Sequence, residues 1–475
     1  MTTQRTYPVK KGETVQLTIE TVAFGGKGIA RVDGYAIFVA RGLPGQTVEA
    51  TIIRRKRDFA EARIERVIEP APDQQDPKCD HFRRCGGCSH QHWKYAAQLK
   101  AKRTQVEDCL RRIGNLEIEV AEPLAADVIY DYRNKMEYSF SSTRWIEDDE
   151  GDITDRFGLG LHVPGRFDRV VNIDRCHIAG AESSAILQRT RELTHATKLP
   201  AYSTRTHEGF WRFLLVRRGV NTGELMVVLI TNRTYDNNDL VETVDGVAET
   251  LLEEFPEITS LLHGESGRKA SIAVCDELTL LAGKSTLHES LLDIDFTITP
   301  STFFQTNTRQ AEKMFRYALD LLDPKPSDTA WDLYCGTGAI SLPLAKRVQH
   351  LTGVELVDAS VAAAAEAAGM NQVLNAGFVA ADVKHWILEQ TEKGNRPDII
   401  VVDPPRAGLH PDIIQPIANS GARKLLYISC NPGTFARDLS LFAEQGLTTN
   451  LVQPVDMFPQ TSHIECVAVL EPAGN

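Results

Sequence analysis

The chain has 475 residues, 42% of them hydrophobic and 24% charged, which predicts a globular protein of two to four domains, each able to bury a core. It shows no apolar run of about 18 residues and no signal-peptide core, and its nine cysteines are unevenly spaced; these features exclude a spanning helix and a secreted disulfide scaffold and predict a cytoplasmic protein with no membrane partner. The formal net charge of −12 hides a split: residues 1–112 carry 21 Lys and Arg against 13 Asp and Glu, and the remainder 31 against 51, so a basic region suited to a polyanion precedes an acidic one.

Residues 10–70 predict a small β-barrel. Val15–Glu20, Tyr35–Val39 and Thr47–Ile53 alternate with period two, and Gly25-Gly26, Gly28, Gly34, Gly42 and Pro44-Gly45 fall at hairpin spacing. Arg54-Arg-Lys-Arg57 stands beside Phe59, a pairing that suits a phosphate backbone and a stacked base. A solvated charged face is the plainer reading of that run. The stretch Gly26-Lys-Gly-Ile-Ala-Arg31 and the closing Ala62-Arg-Ile-Glu-Arg-Val-Ile-Glu69 resemble the TRAM domain, an OB-like module that the resemblance implies binds RNA.

After a linker rich in Pro, Asp and Gln at 69–77 come Cys79, Cys85, Gly86-Gly87 and Cys88. Three cysteines within ten residues, turned by two glycines, suit a shared metal better than disulfides in a reducing cytosol. Thiolates serve zinc and iron–sulfur clusters alike, and either needs a fourth ligand. Cys176, which follows a strand pattern at 169–173, is the expected fourth. A basic helix is expected over 93–112, ending near Gly114. The segment 130–290 predicts an α+β domain, with sheet at 132–140, 157–162 and 225–230 and covering helices at 181–197 and 240–254. Ile298–Asn307 leads into a helix over 309–322, and Asp323-Pro-Lys-Pro-Ser327 forms a hinge.

From 329 strands and helices alternate, the pattern of a doubly wound parallel sheet. Thr329–Cys335 is the first strand, Gly336-Thr-Gly338 its turn and 340–348 the next helix. Glycines there let backbone approach a ligand closely. Leu351–Leu356 brings Glu355, a carboxylate placed to accept ribose hydroxyls, and Phe378–Asp382 ends in an acid able to accept an adenine amino proton. Glycine turn, ribose carboxylate and adenine acid in this order describe an S-adenosylmethionine pocket. Asp398–Asp403 precedes Pro404-Pro405-Arg406, and Lys424–Ser429 delivers Cys430 at a strand end closed by Asn431-Pro432. The final strands are read at 448–456 and 463–470, the second apolar except for Glu465. A buried inert thiol and a solvated strand-end acid are the bland readings of Cys430 and Glu465.

Together these motifs resemble the RNA uracil-5-methyltransferase family, over nearly the whole chain: the barrel, the cysteine cluster, Phe303-Phe-Gln305-Thr-Asn307, Asp332-Leu-Tyr334-Cys-Gly336-Thr-Gly338, Asp403-Pro-Pro-Arg406, Ser429-Cys430-Asn-Pro432 and His463-Ile-Glu465-Cys466. Ala339 departs from it, where some members carry asparagine. The resemblance implies a 4Fe-4S cluster on Cys79, Cys85, Cys88 and Cys176. It also implies a cofactor and substrate site lined by Gln305, Tyr334, Gly336, Gly338, Glu355, Asp382 and Asp403. The expected architecture is therefore multidomain: a TRAM barrel at 1–70, a central α+β domain at 71–295 whose helix at 93–112 packs on the catalytic domain, and a Rossmann-like catalytic domain at 296–475.

Uracil carbon 5 is too weak a nucleophile to take a methyl group unaided. A thiolate adding to carbon 6 makes the ring an enolate, which assigns Cys430 as nucleophile. A base must then remove the carbon-5 proton, the role given to Glu465. The expected partner is RNA, in the ribosomal branch 23S rRNA, with the uridine unpaired or flipped and the enzyme a monomer. The alternatives are transfer RNA as substrate, an amino-group RNA methyltransferase, and a non-catalytic RNA-binding iron–sulfur protein. Amino methylation requires neither Cys430 nor Glu465, and Arg406 stands where such enzymes carry an aromatic.

Overall fold

The computed structural model describes residues 7–146, 154–235 and 240–474; residues 1–6, 147–153, 236–239 and 475 of the predicted units lie outside it. Strands Thr14–Thr18, Thr21–Val22, Lys27–Val32, Tyr35–Ala40, Thr47–Arg55 and Phe59–Glu69 make one six-stranded sheet. The period-two pattern turns Leu17, Ile37, Val39, Val48 and Ile52 into a common core. Register shifts at three points along the ladder between the two longest strands are bulges that bend the sheet around that core. Arg54–Arg57 sits at the tip joining those strands, where Arg54 lies 4.0 Å from Glu61 and Arg55 stacks on Tyr7 at 4.3 Å.

A seven-stranded sheet follows, with Leu225–Asn232 buried along its whole length near the centre. Such a strand is covered on both faces. Leu225, Val227 and Leu229 pack under helices Ala181–Ala196 and Leu240–Glu254. Met226, Val228 and Ile230 face the other way, into a core shared with helix Thr308–Leu322 and with Ile399, Val401 and Leu426 of the C-terminal sheet. The central and C-terminal layers are thus joined by one continuous apolar core.

The C-terminal sheet contains β1 (Glu119–Val120), β2 (Thr329–Leu333), β3 (His350–Glu355), β4 (Ala376–Ala380), β5 (Ile399–Val402), β6 (Lys424–Ser429), β7 (Leu451–Val455) and β8 (Glu465–Pro472), in the order β4-β3-β2-β5-β6-β8-β7-β1. β4 to β6 run parallel along that order, and β8 is antiparallel to both of its neighbours. Chain order reverses between β2 and β5, which opens the crevice where such sheets bind ligands. The predicted helix over 340–348 is reduced to Ser341–Ala345, Pro343 within it having no N–H to donate. The predicted strand over 448–456 is broken by a turn into Leu447–Thr448 and β7.

Helix α1 (Tyr95–Cys109) closes this sheet from the N-terminal side. Val106, Cys109 and Val120 belong to the same core as Ile400, Tyr427 and Ala468, and β1 is the parallel edge partner of β7. After α1 a π-turn, Leu110–Gly114, ends at Asn115 with φ 51°. A side chain at Gly114 would meet the Ala436 carbonyl at 2.7 Å, so glycine permits the close packing. No helix among the described residues is long and apolar enough to cross a membrane.

Candidate active site

The strand ends place the expected residues along one ledge, in the order Asp382, Glu355, Tyr334 with Gly336 and Gly338, Asp403, Cys430 and Glu465. β6 and β8 pair Ser429 with Cys466, and one further step in that antiparallel register sets Cys430 opposite Glu465. Directly opposed residues project on the same face of a sheet. The chain turns immediately after the thiol. The Asn431 side chain accepts from Gly433 N at 3.0 Å, and Pro432 opens helix Pro432–Glu444 with its fixed φ. Asn431 Nδ2 also donates to the Arg406 carbonyl at 3.1 Å, which fastens the Pro404–Arg406 loop beside Cys430.

The electrostatics of this corner are strongly shifted. Burial pushes the Cys430 thiol up to about 11, the charges of Glu465 and Asp403 push the same way, and Arg406 opposes them. Glu465, 9% exposed, is held well above the carboxylate range by burial and then by Asp403. Burial raises Asp403 to about 7. A thiol flanked by two reluctant acids and one arginine is an arrangement for moving protons at a covalent step.

On the other side of the crevice, Tyr334 adopts φ 74° and Gly336 and Gly338 φ 53° and 83°, so the turn is left-handed at three of five positions. Gly336 N donates to Glu355 Oε2 at 3.3 Å, while Leu356 N and Val357 N donate to Oε1 at 2.7 and 3.0 Å. Leu356 and Val357, 68% and 53% exposed, offer an apolar face next to that carboxylate. Asp382 lies two residues past β4, is exposed, and caps helix Val383–Glu392 by accepting from His385 N at 3.0 Å. Gln305 is carried by a segment stitched between two layers. Asn134 Nδ2 donates to the Gln305 carbonyl at 2.9 Å, and Asn307 Nδ2 donates to the Met457 carbonyl at 2.9 Å.

The comparisons follow the same division. Residues 284–473 match the family model for tRNA (Uracil-5-)-methyltransferase and residues 8–64 the TRAM domain. The uncharacterized RNA methyltransferase of Caldanaerobacter subterraneus subsp. tengcongensis is 37% identical over 465 residues, 97% of this chain and 99% of that protein. The chain belongs to the RNA uracil-5-methyltransferase family. An uncharacterized RNA methyltransferase of Chlorobaculum tepidum is 37% identical over 98% of this chain and 97% of its own. The crystal structure of Pyrococcus abyssi tRNA (uracil-54, C5)-methyltransferase in complex with S-adenosyl-L-homocysteine aligns with TM-score 0.73 and 27% identity over 96% of this chain and 99% of that one.

As a member of this family the protein is an S-adenosylmethionine-dependent RNA methyltransferase, and the crevice suits that cofactor. A Cβ at Gly336 would point into open space, so nothing of the protein fills the hollow above the turn. The neighbouring Glu355 carboxylate and exposed apolar pair provide a polar rim and a flat wall.

Cys79, Cys85, Cys88 and Cys176, all free, border one cavity of about 350 Å³ together with Arg133, Phe303 and Phe304. Burial pushes the thiols of Cys85 and Cys88 up to about 12 and raises those of Cys79 and Cys176. Among the described residues no group of three or more His, Cys, Asp or Glu is placed to hold a metal ion.

Two features of the site escaped sequence reasoning. Asp332 is fully buried in β2, accepts from the Ser341 hydroxyl through Oδ2, leaves Oδ1 unpartnered, and is raised to about 7 by burial. A lone acid in an apolar strand was its visible signal. Lys102 of α1 meets Asp456 at 2.6 Å with both side chains buried, and Gln98 exchanges hydrogen bonds with Gln460. Helix α1 therefore braces the loop that enters β8 at Glu465. Nothing local in the sequence announces that pairing.

Proposed function

We propose that the protein forms 5-methyluridine in RNA, with Cys430 as nucleophile and Glu465 as base. The observation that carries the proposal is the juxtaposition of these two side chains across the β6–β8 register, on the same sheet edge as the Gly336–Gly338 turn. Bound along β2, β3 and β4 by Tyr334, Gly336, Gly338, Glu355 and Asp382, S-adenosylmethionine supplies an electrophilic methyl group. The Cys430 thiolate adds to carbon 6 of a flipped or unpaired uracil, and the electron pair of the 5,6 double bond moves toward the carbonyl at carbon 4. Carbon 5 then takes the methyl group, whose bond to the sulfonium sulfur breaks to leave S-adenosylhomocysteine. Glu465 removes the carbon-5 proton, the double bond re-forms, and Cys430 leaves as thiolate. Asp403 and Gln305 hold the base edge in line, and Arg406 favours the thiolate.

For the acceptor we propose 23S rRNA, on the combination of barrel and cysteine cluster in one chain. The tRNA activity named for the Pyrococcus abyssi structure supports transfer RNA equally well. We further propose a 4Fe-4S cluster on Cys79, Cys85, Cys88 and Cys176. The support is the donor set: the four thiols border one cavity. Methyl transfer needs no redox step, so the cluster's role is structural. The enzyme is read as a cytoplasmic monomer with units at 1–70, 71–295 and 296–475.

The test has two parts. Cys430→Ala should abolish methyl transfer and keep S-adenosylmethionine binding, and 5-fluorouridine RNA should trap a covalent adduct in the wild type. Glu465→Gln should accumulate that adduct on unmodified RNA; turnover by Cys430→Ala would sink the assignment. Mapping of 5-methyluridine in 23S rRNA and tRNA from cells lacking the protein decides the acceptor.

A further inference from the structure

A groove of about 720 Å³ runs between the barrel, the cysteine loop and the first strands of the central sheet, and its lining includes Arg41, Arg63, Arg66, Arg83, Arg84 and Arg166. Three of these are neutralised nearby: Arg63 by Glu65 at 2.9 Å, Arg66 by Glu49 at 2.8 Å and Arg166 by Asp168 at 3.2 Å. Arg41 and Arg83 have no carboxylate partner among the described residues. Both line the same groove, one from the barrel and one from the cysteine loop.

Both also stand in backbone that arginine rarely adopts, with φ 61° at Arg41 and 84° at Arg83. Strained non-glycine positions gather where a side chain must be aimed at a ligand. Here the two positions, from separate segments, border one groove. Arg41 is further fixed by stacking on Phe82 at 5.4 Å, and its carbonyl accepts from His92 Nε2 at 3.0 Å.

We infer that this groove is a phosphate track for the RNA strand, with Arg41 and Arg83 as its paired anion site. The inference rests on the RNA-methylating reading above and adds where the strand lies. Two unpaired guanidiniums across a groove fit successive phosphate oxygens, which guanidinium binds in a fork. An acidic peptide would offer carboxylates at irregular spacing, whereas the cysteine loop that carries Arg83 is also tied to the loop that enters the catalytic corner. Ser89 N and His90 N donate to the Gln460 carbonyl at 2.9 and 3.0 Å, and Gln460 precedes Glu465 by one loop. By contrast, Arg54–Arg57 lies on the barrel's outer tip, outside this lining.

The experiment is a salt series of fluorescent oligouridylate binding to the whole protein, wild type against Arg41→Gln/Arg83→Gln. Each lost phosphate contact lowers the log–log salt slope by about 0.7 for a single strand, so the double variant should lose about 1.4. Its S-adenosylmethionine affinity, read by calorimetry, should match the wild type. An unchanged slope in a variant that still binds the cofactor overturns the track. Arg83→Gly guards against misfolding, since glycine accepts that φ: it should keep or raise the melting temperature and still lose about 0.7 in slope. Should neither variant fold, amide exchange on the wild type decides. Protection at 41–43 and 82–85 on adding oligouridylate supports the track, and binding without it overturns the track. Methyl transfer by the wild type is scored separately, so an unchanged slope with 5-methyluridine formed condemns the groove alone, whereas a lowered slope with no 5-methyluridine formed by the wild type condemns the uracil chemistry alone.

Discussion

Burial and two nearby acids push the ionisation of the Cys430 thiol up to about 11. The thiolate is the attacking species, so alkylation of Cys430 by iodoacetamide should accelerate roughly tenfold per pH unit up to that value. Arg406→Ala removes the cation that favours the thiolate and should slow alkylation. Glu465→Gln removes a charge that opposes it and should quicken alkylation where Glu465 is ionised. Equal rates for both variants would show that neither group faces the thiol. Asp332 gives a second pH signature. Its folded-state value of about 7 lies above the ordinary 3.8, so folding favours the protonated acid, and stability is lost as pH rises between those values. Melting curves should show Asp332→Asn gaining on the wild type over that window and levelling off above it. Cys430 and the glycine turn were legible in the sequence because each closes an apolar strand with a residue that stops it, and Glu465 because it stands as a charge at the head of an apolar one. Arg41 and Arg83 were not, since they come from different segments and neither belongs to a charge cluster.

At the scale of elements, the brace between α1 and the loop before β8 is the most exposed to test. Lys102→Met leaves Asp456 buried without a counter-charge and should cost about 3–5 kcal/mol in chemical denaturation. Lys102→Met/Asp456→Leu should recover most of that loss, because an apolar pair replaces the ion pair. A double variant no more stable than the single one would mean that the loop needs the charges themselves. This brace also shows where pattern reading stopped. The residues that α1 buries include Gln98, Lys102 and Gln105, so no apolar stripe marked its inner face, although the helix itself was visible. β1 has two residues, too few for any period. The shortened helix at 341–345 and the turn before β7 were decided by Pro343 and by the chain's path, not by propensity.

At the scale of the whole molecule, the cysteine loop stands between the proposed phosphate groove and the catalytic corner, so loss of the proposed cluster should be felt at both. Anaerobically purified protein should be brown, with about four irons per chain, and Cys176→Ala should lose iron as completely as Cys85→Ala. Stoichiometric zinc in colourless, active protein would refute the cluster. The seam made by α1 and β1 bears on how the chain is made. A span of 354 residues separates Lys102 from Asp456. A ribosome adding ~5–20 residues per second needs roughly 20–70 s to cover it. Throughout that interval α1 waits in water without the sheet it will close. An apolar stripe would leave the nascent chain sticky for the same time. A buried face that sets Gln98, Lys102 and Gln105 beside only Val106 and Cys109 stays largely hydrated until the last strands emerge, and only then trades water for Asp456 and Gln460.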